Sequence, residues 1–209
     1  MSAIVTIEDL ERIRGADMTV VAFPAFEQIR SLVARTNPAV ARGAAQDRLF
    51  ADLALAAGDP AATARACRRA DLRRVEIELI APASDETPAF VLDAVLDLLA
   101  HGGCIRDEAA ALRDVPAYTT SLDAARAYVA RVLPGFYLVS GSCGATGHAS
   151  VGPDYDGPDG ERLLREWPRD GVAEVGWHEE LSHSDGPHRE PRAILAAAVR
   201  ALAHANERT

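Results

Sequence analysis

Apolar residues recur along this chain at periods of about 3.6 and about 2 residues, and they sort it into helical and extended segments. Near the start, Ile7, Leu10 and Ile13 fall on one helical face that Thr6 caps and Gly15 stops. Residues 18–23 lean toward a short strand. Pro24 then suits a first helical turn, with Phe26, Ile29 and Val33 at helical spacing until Asn37-Pro38 breaks the pattern. Residues 39–57 are Ala-rich and helix-permissive, anchored by Leu49, Phe50 and Leu53. Gly58 ends that stretch, and Asp59-Pro60 restarts a helix as cap and first residue. Val75, Ile77 and Leu79 alternate with Glu76 and Glu78, which predicts a half-exposed strand. Thr87-Pro88 opens an apolar helix through Ala100 that Gly102-Gly103 closes, and residues 107–113 add a short helical piece.

The second half is more regular. Ser121 is a good N-cap for a helix carrying Leu122, Ala125, Val129 and Val132 on one face, stopped by Pro134-Gly135. Residues 136–141 and 147–152 read as strands joined by a Gly-rich connection, and residues 172–178 as a third. Between them lie a polar turn over residues 153–160 and a short segment ending at Trp167-Pro168. A final amphipathic helix over 191–205 turns Ile194, Leu195, Ala198 and Leu202 inward. The fold class is α+β, with a mainly helical region over residues 1–114 that holds a short strand. A small α/β sandwich over residues 115–209 follows, in the order helix, strands, helix. The helices over 121–133 and 191–205 should cover the sheet and bury Val129 and Leu202. The histidine-rich segment before the last helix should lie on the surface.

Composition narrows the function classes. With 209 residues, 48% hydrophobic and 25% charged, the chain can bury a core without staples. Its net charge is −9, and every basic residue is Arg, since the chain contains no Lys. Such a surface repels phosphate backbones and anionic headgroups, so nonspecific nucleic-acid or membrane binding is disfavoured. The first ten residues carry acids where a secretory leader would carry bases, and no apolar run reaches the ~20 residues of a membrane span. Cys67, Cys104 and Cys143 are odd in number and widely spaced. The expected setting is a reducing cytoplasm.

The run "AYTTSLDAARAYVARVLPGFYLVSGSCGATGHASVGPDYDG", followed by "EPRAILAAAVRALA", resembles the phage ABA sandwich domain. The matching positions are Ser121 to Ala125, Val132 to Gly135, Phe136 with Tyr137, and Pro191 to Ala203. The resemblance covers residues 115–209 and leaves 1–114 unassigned. It implies a small α/β sandwich from a phage, prophage or prophage-like element, and it implies no catalytic residues. The chain departs from that pattern by inserting "ERLLREWPRDG" and "HEELSHSDGPHRE" before the last helix.

Four stretches offer chemistry. In "WHEELSHSDGPHRE", His178, His183 and His188 recur every five residues with Glu179 beside the first. A zinc helix needs histidines four apart, so only a loop would gather these three as ligands with Glu179 as base; solvated histidines at a hairpin tip are the plainer reading. "DYDGPDGE" places Asp154, Asp156, Asp159 and Glu161 around glycines, but Pro158 and Asp159 break the calcium-loop order, leaving a turn. "SGSCGATGH" lacks the following helix and the Lys of a phosphate cradle, so it reads as a hairpin connection. It also offers Cys143 with His148 as a nucleophile pair, though nothing local forces that pairing. Arg65, Arg69 and Arg73 share a helix face beside Arg68, in a stretch that reverses the local charge and superficially suggests a helix-turn-helix. A solvated face pairing with Glu76 and Glu78 explains them as well. The expected function is a phage-type accessory protein, without catalysis or cofactor, that binds a host or phage protein. The alternatives are a zinc-dependent enzyme on the histidine segment and a DNA-binding regulator on the arginine face.

Overall fold

The computed structural model describes residues 25–34, 60–80, 87–103, 110–169 and 175–208. The helices expected over residues 6–15 and 39–57, the strand over 18–23, the helix-turn-helix outline and Cys104 lie outside the described residues. Within them the class is α+β, with seven α-helices and one three-stranded antiparallel sheet. The chain divides into two compact units, Met1–Asp71 with Ala94–Val115, and Leu72–Asp93 with Pro116–Thr209. The unit built on the C-terminal segment therefore also takes in residues 72–93.

In the first unit, α1 (Ala25–Ala34) buries Phe26, Ile29 and Val33, the stripe that its spacing predicts. Its leading N–H groups have no intrahelical acceptor, and a distant residue supplies one. Asp71, on α2 (Pro60–Ile80), accepts the Ala25 N–H at 2.6 Å and the Phe26 N–H at 3.3 Å. Burial, and then the Asp71 charge, push the Cys67 thiol up to about 11. Helix α3 (Ala89–Ala100) closes as expected, where Gly103 donates its N–H to the Leu98 carbonyl at 2.7 Å. Gly102 and Gly103 sit at φ 85° and 78°, a region that disfavours side chains.

The strand expected over Val75 to Leu79 is helix instead. Leu72, Val75 and Leu79 are fully buried while Ile77 is 54% exposed, which is a helical stripe. Five alternating residues fit either period. A helix already running from Pro60 gains one hydrogen bond per added residue, whereas a strand there needs a partner.

In the second unit, the Thr119 N–H donates to Asp93 at 2.8 Å and ties the 117–120 turn to α3. Burial raises the Asp93 carboxyl above its ordinary range, and the Thr119 hydrogen bonds oppose that shift. A short α4 (Ala110–Arg113) lies ahead of this turn, in the first unit. Ser121 caps α5 (Leu122–Val132), its hydroxyl accepting the Ala124 N–H at 3.3 Å. Tyr118 and Tyr128 pack edge to face beneath it, with centroids 5.2 Å apart.

The sheet follows, as β1 (Phe136–Ser142), β2 (Thr146–Pro153) and β3 (Trp177–Ser182) in the order β1-β2-β3. Register sets its inner rows: Leu138, Val151 and Trp177; Ser140, Ala149 and Glu179; Ser142, Gly147 and Leu181. Helix α7 (Arg189–Arg208) lies along this inner face with residues 191–199 all buried. Its alanines let it approach closely, and at Gly147 its first turn nearly touches the strand. A Cβ there would lie 2.6 Å from the Glu190 nitrogen.

Two expectations change here. The third strand runs Trp177–Ser182, further along than the expected 172–178, of which 172–174 lie outside the described residues; it takes in His178, while His183 and His188 follow it, and all three histidines lie exposed on the surface as expected. Pairing with β2 decides this, since that register puts Trp177 and Leu181 against α7. Second, the sheet is covered mainly by α7, while α5 packs on α7 and meets the sheet chiefly at β1. Val129 and Leu202 are buried as expected. At one end of the sheet Phe136, Trp167 and Trp177 interlock with His204, Trp167 following the short α6 (Gly160–Glu166).

Candidate functional site

The side chains of β3 alternate between faces, so its two candidate ligands part. His178 points to the outer face. Glu179 points inward and meets Arg200 of α7 at 2.5 Å, and the same guanidinium reaches Glu76 at 2.5 Å. Glu179 is thus held as a structural partner on the opposite face from His178. His183 sits in the 3-10 turn His183–Asp185, with its Nδ1 3.1 Å from Arg189. His188 stands immediately before α7 at φ 56°. The structure does not bring His178, Glu179, His183 and His188 together, and no three metal-ligating side chains converge among the described residues.

The other stretches resolve similarly. Asp154 accepts the Gly157 N–H through its carbonyl and Asp159 pairs with Arg162 at 3.4 Å, in a turn. Arg65, Arg69 and Arg73 are exposed along α2, while Arg68 is half-buried with a contact to the Leu99 carbonyl at 3.5 Å. Cys143 opens the β1–β2 hairpin, where its sulfur accepts N–H groups of Thr146 at 3.3 Å and Ala145 at 3.4 Å. Those bonds from Thr146 and Ala145, and then Arg189, hold its thiol below the ordinary value. His148 instead lies across Gly141 on the outer face. Iodoacetamide near neutral pH should therefore label Cys143 readily and spare Cys67 until the chain unfolds. Peptide mapping reads both sites, and equal labelling of the two in folded protein would contradict this geometry.

Two surfaces of the second unit stand out. The first is the outer face of the sheet, whose rows are Tyr137 with Gly152, then Val139, Ser150 and His178, then Gly141, His148 and Glu180. Val139 is 60% exposed at its centre, and Tyr137 lays its ring over Gly152. No described element packs on this face.

The second is a cavity of about 100 Å³. Glu78 and Arg192 line it, with the hydroxyl residues Thr87, Thr119 and Thr120 and the strained His188. Ala89, Leu92 and Pro187 supply an apolar wall. Thr87 donates to the Glu78 carboxylate at 3.0 Å. Arg192 is buried and fixed: its Nε donates to the Leu79 carbonyl at 2.8 Å, and its Nη1 to the carbonyls of Asp185 and Pro187. Burial draws its pKa down and the Asp185 charge partly restores it. Of the candidate metal, catalytic and binding residues named from sequence only His188 lies here. The rest carry no local signal, because α2, α3, the 117–120 turn and α7 meet only in the folded chain.

Comparison of the chain with protein-family models, curated proteins and solved structures finds no match to any of the three. Among the described residues no helix is long and apolar enough to cross a membrane.

Proposed function

We propose that this chain is a phage or prophage accessory protein of the cytoplasm that acts by binding a partner protein through the outer face of its sheet. The observation that carries this reading is a face that no described element covers, with Val139 and Tyr137 at its middle and His148, His178 and Glu180 around them. An apolar centre with a polar rim is the usual anatomy of a recognition patch. The separation of His178, Glu179, His183 and His188 favours binding over catalysis, so the reading assigns no cofactor. The resemblance of residues 115–209 to the phage ABA sandwich domain supplies the phage context and the choice of a host or phage protein as partner.

Three strands of six to eight residues present about 300 Å² of face, well below the ~800 Å² per partner of a stable complex. The contact is accordingly small and transient. Val139→Asp should abolish capture of the partner from host or phage lysate while leaving stability within about 0.5 kcal/mol, since the side chain is exposed. Leu164→Asp, at an exposed site on α6, is the control that should retain capture. Equal capture by both variants would remove the sheet face from consideration.

A further inference from the structure

Beyond the partner reading, which concerns the outer face, we propose that the edge of β1 pairs antiparallel with β1 of a second copy of this chain, giving a closed dimer. The ladder fixes which way each backbone group points. The Cys143 N–H donates to the Thr146 carbonyl at 2.8 Å, and the Asp154 N–H to the Gly135 carbonyl at 3.1 Å. Both ends of the hairpin thus assign the odd-numbered β1 residues to β2. Residues 136, 138, 140 and 142 therefore turn their N–H and C=O groups outward. By the same alternation, residues 178, 180 and 182 of β3 turn theirs outward at the opposite edge.

The two edges are finished differently. On β3, Arg200 donates to the His178 carbonyl at 2.9 Å. The Glu180 N–H is taken by Glu179 Oε1 at 3.0 Å, and the Ser182 N–H by the Asp185 carboxylate at 2.6 Å. Charged side chains on that strand guard it further, a usual defence of an edge. On β1 the Phe136 N–H is taken by the Leu133 carbonyl at 3.1 Å. For Leu138, Ser140 and Ser142, no bond to the outward backbone groups exists among the described residues. Residues 136–142 hold no charge and no proline. Arg126 of α5 reaches this stretch, but it bonds the Ser140 hydroxyl at 3.3 Å and not the backbone. An open, uncharged edge is a template for another strand.

Three features select a second copy as that strand. The free groups are symmetric about Ser140, so a two-fold axis there pairs Leu138 with the second copy's Ser142 and Ser140 with its own counterpart. Every free N–H then meets a free C=O. On the outer face this register sets Val139, 60% exposed, against the second copy's Gly141 and the His148 ring that lies across it. On the inner face Arg126 and Glu190 both reach Ser140 Oγ, at 3.3 and 2.9 Å, so each charge lies beside the axis and meets its opposite in the second copy. Because β3 is guarded, association closes at two copies instead of continuing into a fibre. The contact is small, so the dimer is weak, with a Kd on the order of 10–100 µM.

The test uses the full chain at about 0.15 M salt, which screens the −9 charge that each copy carries. Sedimentation velocity from about 1 to about 500 µM should show the mass rising from 22.2 kDa toward twice that value and no further. Hydrogen exchange on the same samples should slow at the amides of Leu138, Ser140 and Ser142 as concentration rises. Ser142→Pro removes an outward N–H at an exposed residue, so it should weaken the dimer at least about tenfold and leave the Tm of the monomer unchanged. His178→Pro removes an outward N–H on the guarded edge and should leave the dimer intact. A mass fixed at 22.2 kDa would leave this edge to a strand from another protein and overturns the second copy. A dimer without protection at these three amides, or one weakened as much by His178→Pro as by Ser142→Pro, overturns the β1 edge as its contact.

Discussion

Ile194→Ala should lower the stability of the protein by about 2–5 kcal/mol, the range for emptying a fully enclosed aliphatic site. Ile194 is 0% exposed and lies in the stretch of α7 where every residue from 191 to 199 is buried. The loss has two parts. The removed methylenes no longer leave water on folding, and the void persists because a sheet on one side and helices on the other cannot both close over it. For a chain of this length that corresponds to a fall in Tm of about 5–15 °C. Leu202→Ala should sit at the lower end of the range, because its site opens slightly to solvent. Urea titration of both variants beside the parent measures the difference. A loss below about 1 kcal/mol for Ile194→Ala would mean that α7 is not the centre of this core.

Gly147→Ala should be nearly as damaging although it adds a single methyl group. The new Cβ would lie 2.6 Å from the Glu190 nitrogen, 2.7 Å from the Arg189 Cβ and 2.8 Å from the Arg189 carbonyl carbon. Two of these are backbone atoms of the first turn of α7, so no rotamer change relieves the collision. Either the strand or the helix must shift, and overpacking of this kind costs about 1–3 kcal/mol or more. Gly144 provides the comparison. It sits two residues beyond the end of β1, where an added Cβ would meet nothing within 4 Å and φ is not positive. Gly144→Ala should be neutral or stabilising by up to about 1 kcal/mol, through the unfolded chain. Similar losses for the two variants would show that the close approach of β2 and α7 is not what the glycine serves.

The elements that local chemistry specifies were legible. Ser121 could be recognised as a cap because a hydroxyl before an apolar-periodic run satisfies a free N–H without help from elsewhere. Gly102-Gly103 could be recognised as a stop for the matching reason at the other end of a helix. The β1–β2 hairpin was visible from two alternating runs around a Gly-rich link. Residues 75–79 were misread because five alternating residues suit either period, and the helix that absorbs them begins fifteen residues earlier.

What lay beyond the sequence is where charges and faces meet. Glu179 read as a ligand or base because a carboxylate beside a histidine invites that role, yet it faces inward to Arg200, twenty-one residues on. Its neighbour His178 turns the other way, since adjacent strand residues occupy opposite faces. The cavity is assembled from Glu78, Thr87, Thr119, His188 and Arg192, which span more than a hundred positions and share no motif. Periods and caps are local properties, fixed by bonds within a few residues, so the sequence by itself determined the helix that Ser121 caps, the last helix, the hairpin and the α+β class. Convergence depends on register and on which helix packs where. Those follow from burial summed over the whole unit, and only the tertiary structure decided them.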